Sequence, residues 1–269
     1  MEFAQKISRL PRAYDSDRGA EGRALFESLS GDLAKLVEGA AGCSPYLLSL
    51  MMREAAWMVS AFDAPRAALD AEFARLREVG APDLPSELRR AKKRVALLTG
   101  LADLGGVWSL EEVTGALTNF ADLSVQLSLR ATLGAEVRRG KLPGMSLDDL
   151  ETLGGMFVLS MGKMGAYELN YSSDIDLICL FDEARFERDD FFEARKAFIK
   201  ATRGMSAMLN DRTAEGYVFR TDLRLRPDPA VTPVCMAVEA AERYYESLGR
   251  TWERAAYIKA RCGAGDQAA

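Results

Sequence analysis

Gly162-Lys163-Met164-Gly165 follows one short apolar run, and ten residues after Lys163 the segment Ser173-Asp174-Ile175-Asp176-Leu177 opens another. A small-residue turn after one strand, then two alternate carboxylates at the start of the next, is a layout suited to metal-assisted nucleotidyl transfer. A third carboxylate, Asp222, lies in a later strand-like run from Tyr217 to Arg226. Such transfer requires charge neutralisation on the phosphoryl oxygens and alignment of the attacking and leaving oxygens, which two divalent cations about 3.5–4 Å apart can provide. Mg²⁺ keeps several waters, so a few carboxylates plus substrate phosphates suffice to hold it. Asp174, Asp176 and Asp222 are the candidate catalytic and metal-ligating residues. Crowded together without a cation, they would raise one another's pKa.

Gly162 lets the backbone approach a phosphate closely, and a helix beginning around Gly165 would offer free N–H groups. Lys163, Ser173, Arg224 and Arg226 complete the candidate nucleotide-binding set, with the three cations as partners for further phosphate charge. Each feature alone has a plain structural reading. Asp-x-Asp is common in solvated turns, and Asp222 with its arginines suits the wet face of an edge strand. The glycine turn matches neither a dinucleotide-binding fingerprint nor a P-loop. Their order along the chain is what joins them into one site.

Composition narrows the chemistry further. The chain of 269 residues has no histidine, which excludes histidine general bases, triads and metal ligands together. Its four cysteines (Cys43, Cys179, Cys235, Cys262) are far apart, so a zinc site or disulfide scaffold is not expected. A net charge of −5 argues against nonspecific nucleic-acid binding. No apolar run approaches the ~18–20 residues of a membrane span. No signal-peptide core follows the N-terminus, so no membrane partner and a cytoplasmic location are the expectation.

Residues 1–150 read as helices and 151–269 as a compact α/β unit. Ser44-Pro45 caps and starts a helix through Met58, Ala64-Pro65 starts another, and Ser109 with Glu112 forms a capping-box pattern. Residues 141–144 look like a linker, and Ser146 with Asp149 restarts a short helix. Met156–Leu159 and Leu177–Phe181 are short apolar strands. Helical spacing runs from Asp189 to Thr213. Tyr217 to Arg226 alternates, placing Tyr217, Phe219, Leu223 and Leu225 on one face and Arg220, Asp222, Arg224 and Arg226 on the other. Ala237 to Arg261 returns to helix. The fold class is α+β, a helical N-terminal domain followed by a domain with a small mixed sheet.

The Gly162 to Asp176 segment resembles the signature of the DNA polymerase β-like nucleotidyltransferase superfamily. More closely, residues 161–177, 219–227 and 249–261 resemble the bacterial glutamine synthetase adenylyltransferase/adenylyl-removing enzymes, in a match covering about 85–266. That family carries two homologous nucleotidyltransferase halves. The Asn170 context, the Arg220–Pro227 run and the Trp252-Glu253-Arg254 and Lys259-Ala260-Arg261 groups look like the N-terminal, deadenylylating half. The resemblance implies Mg²⁺ on Asp174, Asp176 and Asp222. It also implies phosphorolytic removal of AMP from a tyrosine of adenylylated glutamine synthetase, using phosphate and releasing ADP.

Forward adenylylation from ATP is the alternative, and an inactive module docking glutamine synthetase or the PII signalling protein is another. Ala166 stands where the family often has glycine, and residues 228–233 replace a glycine-containing loop. The stop near Gly265-Asp266-Gln267 reads as a truncated product.

Overall fold

A computed structural model describes residues 1–267. The chain divides into two compact units, one made of 1–79 and 86–120 and the other of 80–85 and 121–269. The first unit is helical: α1 (Glu2–Gln5), α2 (Ser16–Ala24), α3 (Gly31–Cys43), α4 (Pro45–Ala61), α5 (Pro65–Arg77), most of α6 (Leu84–Leu104) and the start of α7 (Leu110–Arg138). Helix starts follow the sequence signals. Ser44 Oγ accepts the Leu47 N–H at 3.2 Å with Pro45 in the first turn. Ser109 and Glu112 exchange side-chain to backbone bonds at 2.7 and 3.2 Å, satisfying donors that a helix N-terminus leaves free. The core gathers Phe3, Phe26, Phe62, Leu36, Met51, Met58 and Leu76, all fully buried. Within it Arg94 bridges Glu54 and Glu72 at 2.8 and 2.7 Å.

In the second unit a 3₁₀ segment (Asp148–Gly155) leads into β1 (Met156–Ser160), the single-turn helix α8 (Gly162–Gly165) and β2 (Ile175–Phe181). Then come α9 (Phe191–Asn210), β3 (Thr221–Asp222), β4 (Cys235–Ala237), α10 (Val238–Ser247), α11 (Thr251–Ala256) and β5 (Arg261–Gly265). The sheet order is β3-β2-β1-β5, with β4 also on β2. β1 pairs antiparallel with β2 and β5, while β3 and β4 run parallel to β2. The α+β class with a small mixed sheet holds.

Alternation in β2 sorts its side chains. Phe181 stacks on Phe198 of α9 at 4.7 Å, so Ile175, Leu177, Cys179 and Phe181 form the α9 face. Ile178 and Leu180 pack on the other side with Met161, Met236 and Ala241. Asp176 belongs to this second face, at the end where packing stops.

Three sequence expectations change. The 217–226 run forms a ladder only at Thr221–Asp222. Before it, the Val218 and Phe219 N–H groups donate to Leu209 O. After it, Asp222 Oδ1 accepts the Arg224 N–H at 2.8 Å, a side-chain turn that bends the chain out of the sheet. The 237–261 segment is two short helices broken at Leu248-Gly249, where both amides donate to Tyr244 O, and it ends in an unforeseen strand, β5. The helix after β1 starts at Gly162 and is over by Gly165. Among the described residues no helix is long and apolar enough to cross a membrane.

Candidate active site

The carboxylates meet through strand register. β2 and β3 pair in parallel with Ile175 opposite Thr221 and Asp176 opposite Asp222. Neighbours in one register point to the same face, so both carboxylates emerge side by side. Two residues earlier on each chain the same register sets Asp174 opposite Arg220, whose guanidinium donates to Asp174 and, at 2.9 Å, to Ser172 O. Several contacts hold this edge. Ile175 N–H donates to Arg220 O at 2.9 Å, and Ser206 of α9 shares a 2.6 Å hydrogen bond with the Thr221 hydroxyl.

The glycine turn closes the other side. Met161 N–H donates to Asp176 O at 2.9 Å, and a Cβ on Gly162 would stand 3.4 Å from Asp176 Oδ2. Gly162 has φ +54°, a region that glycine enters without penalty. Lys163 is exposed on this turn, and no described residue pairs with its ammonium. Ser173 donates to Asn170 Oδ1, fixing the loop that delivers Asp174.

Electrostatics divide the set. Burial, then Asp222 and Asp174, pushes Asp176 above the usual carboxylate range, partly offset by Arg224. Asp222 moves the other way, because Arg224 holds both its oxygens at 2.5–3.0 Å. The expected mutual raising is therefore seen at Asp176 and overridden at Asp222. Arg226 lies elsewhere in role: burial lowers its pKa, and it donates to Leu223 O at 2.6 Å, Pro229 O at 2.9 Å and Thr232 O at 3.1 Å. It fastens its own loop, leaving Arg220 and Arg224 as the guanidiniums at the carboxylates.

The donor chemistry fits a hard divalent cation, since three oxygen donors with excess negative charge emerge at one sheet end. Two of them are currently taken by arginines. Among the described residues no three such groups converge as a metal cage, so a cation would have to draw Asp174 and Asp222 from Arg220 and Arg224. Arg220 is the site residue that the sequence reading left unassigned. Its signal is the offset of two that it shares with Asp174, legible only once β3 is known to run parallel to β2.

Residues 32–269 match the family model described as glutamate-ammonia ligase adenylyltransferase. A bifunctional glutamine synthetase adenylyltransferase/adenylyl-removing enzyme of Bradyrhizobium sp. (strain BTAi1 / ATCC BAA-1182) is 48% identical over 91% of the chain. Enzymes of the same description from Xanthobacter autotrophicus and Caulobacter vibrioides are 43% and 40% identical over 97% and 96% of it. The chain covers 26%, 27% and 26% of these three proteins respectively, so it spans about a quarter of the relatives it matches. The chain belongs to the glutamate-ammonia ligase adenylyltransferase family.

Proposed function

We propose that this chain carries an adenylyl-removing centre acting on adenylylated glutamine synthetase, with inorganic phosphate as acceptor. The observation that carries the reading is the Asp176–Asp222 register pair beside the Gly162 turn. A phosphate oxygen attacks the AMP phosphorus, the bond to the tyrosine oxygen breaks, and the phenolic oxygen takes up a proton, leaving ADP. Asp174, Asp176 and Asp222 would hold Mg²⁺. When bound, that ion supplies neutralisation of phosphoryl charge. Lys163, exposed on the turn, and Arg224, once a cation displaces it from Asp222, would meet phosphate oxygens. Phosphate is already ionised near neutral pH, so positioning rather than a strong base carries the rate, in keeping with a chain that has no histidine.

Domain roles follow the same reading: residues 151–269 form the nucleotidyltransferase domain and 1–150 a helical scaffold, working in the cytoplasm with the PII protein as a candidate regulator. Incubation with ³²P-AMP-labelled glutamine synthetase, phosphate and Mg²⁺ tests the direction. Labelled ADP supports phosphorolysis. Transfer of label from ATP onto unmodified glutamine synthetase, without ADP formation from the labelled enzyme, would replace it with the forward reaction.

A further inference from the structure

Arg261, the first residue of β5, pairs with Ser160 across the sheet and sends its side chain under the glycine turn. Its guanidinium donates to Met164 O at 3.2 Å and to Gly165 O at 3.3 Å. These are the last carbonyls of α8, and that of Met164 also accepts the Tyr167 N–H at 3.3 Å. The same group reaches Asp122 of α7 at 2.8 Å and lies 4.1 Å from the ring centre of Tyr167. Tyr167 is held at φ +59°, a conformation that L-residues rarely adopt. Gly165 itself has no free space: a Cβ there would come within 1.8 Å of Lys259 O and 2.4 Å of Ser160 O. The turn beside Asp176 is therefore pressed on backbone from one side and tied by one planar fork from the other.

We infer that Arg261 is a positioning residue, a clamp that with its counter-ion Asp122 fixes the Gly162–Gly165 turn against the carboxylate site. The inference rests on the adenylyl-removing reading for its catalytic consequence. Its structural consequence stands apart from it. Arginine is required because a lysine ammonium cannot span two carbonyls, a carboxylate and a ring face together. Asp122 faces Arg261 and Cys262 of β5 and Ser160 of β1, whose hydroxyl donates to it at 3.3 Å. Burial raises the Cys262 thiol, so it stays neutral, and Arg261 is the single cation in this group. Burial also raises Asp122 to about 6, so the charge that backs the clamp appears as pH rises through that value.

Arg261→Gln, Arg261→Lys and Asp122→Asn in the full chain test this by amide hydrogen exchange and by turnover of adenylylated glutamine synthetase. Arg261→Gln is expected to speed exchange at residues 162–168 while Leu177–Phe181 stays protected. Turnover should drop at least about tenfold with KM for glutamine synthetase unchanged. The rate of the native chain should fall as pH drops through about 6, and Asp122→Asn should lack that limb. Arg261→Lys should resemble Arg261→Gln. If Arg261→Gln does not fold, Tyr167→Leu removes only the outer face of the clamp and should still loosen 162–168. Unchanged exchange there, loosening spread across the sheet, or native behaviour of Arg261→Lys would overturn the clamp. Local loosening in a native chain that makes no ADP would overturn the functional reading and leave the clamp standing.

Discussion

Gly165→Ala is the sharpest steric test of how the turn is built. The added Cβ would lie 1.8 Å from the Lys259 carbonyl oxygen, 2.4 Å from that of Ser160 and 2.9 Å from the Lys259 carbonyl carbon. All three are backbone atoms, so no side chain can rotate away. Ordinary contact begins near 3.4 Å, and the Lys259 carbonyl would have to retreat by roughly 1.5 Å. Gly165 is not among the glycines at positive φ, so the cost is steric rather than conformational. Overpacking of this kind costs about 2–3 kcal/mol, which lowers Tm by roughly 4–10 °C in a chain of this size. A misplacement of the turn by about 1 Å should cut turnover by about 100-fold.

Two glycines calibrate the result. Gly162→Ala meets only Asp176 Oδ2 at 3.4 Å but must hold φ +54°, at a cost of about 1 kcal/mol. Gly115→Ala, inside α7 with nothing within 4 Å, should stabilise by about 0.5–1 kcal/mol. Thermal unfolding by circular dichroism should therefore rank Gly115→Ala above native, then Gly162→Ala, then Gly165→Ala. A Gly165→Ala chain that melts with the native one would refute the reasoning.

Asp122 gives a pH signature of known sign. Its folded value, raised from 3.8 to about 6, means the folded chain binds the proton more tightly than the unfolded one. This group's contribution is thus fully favourable below pH 4 and is lost as pH rises through about 6. The stability of Asp122→Asn relative to native should rise across that window in urea titrations, and a flat difference would contradict it. Arg224→Ala should tighten Mn²⁺ binding, because the cation no longer displaces a guanidinium from Asp222; weaker or unchanged affinity in a paramagnetic titration would count against the exchange. In the helical unit Arg94→Ala strands Glu54, whose side chain is 9% exposed, and leaves the buried Glu72 to Arg75 alone, which should cost about 3 kcal/mol by urea denaturation. An unshifted midpoint would refute that.

Helix starts and buried strands were legible because their signals are local. Ser44 with Pro45, Ser109 with Glu112, and the apolar runs of β1 and β2 each act within four or five residues. β5 was not, because Arg261–Gly265 lacks strand-forming side chains and owes its place to a partner a hundred residues away. Its Gly265 answers to close backbone approach, since a Cβ there would come within 2.1 Å of Met156 O, and its Gly263 to the Ser160 and Asp122 side chains. The alternation of 217–226 was equally misleading, since the Asp222 side chain that suits a site also bends the chain after two residue pairs. The carboxylates themselves were readable from type and spacing. Their arginine partners were not, because Arg220 reaches Asp174 through a parallel register that no local pattern encodes.

The central claim is that Asp174, Asp176 and Asp222 form one divalent-cation site. Calorimetric titration of the full chain with Mg²⁺ and with Mn²⁺, run beside Asp176→Asn, tests it most directly. The account predicts saturable binding by the native chain and its loss in the folded variant, with the heat returning unchanged in Arg226→Lys, whose parent side chain fastens a loop. Equal binding by native and Asp176→Asn chains would contradict it.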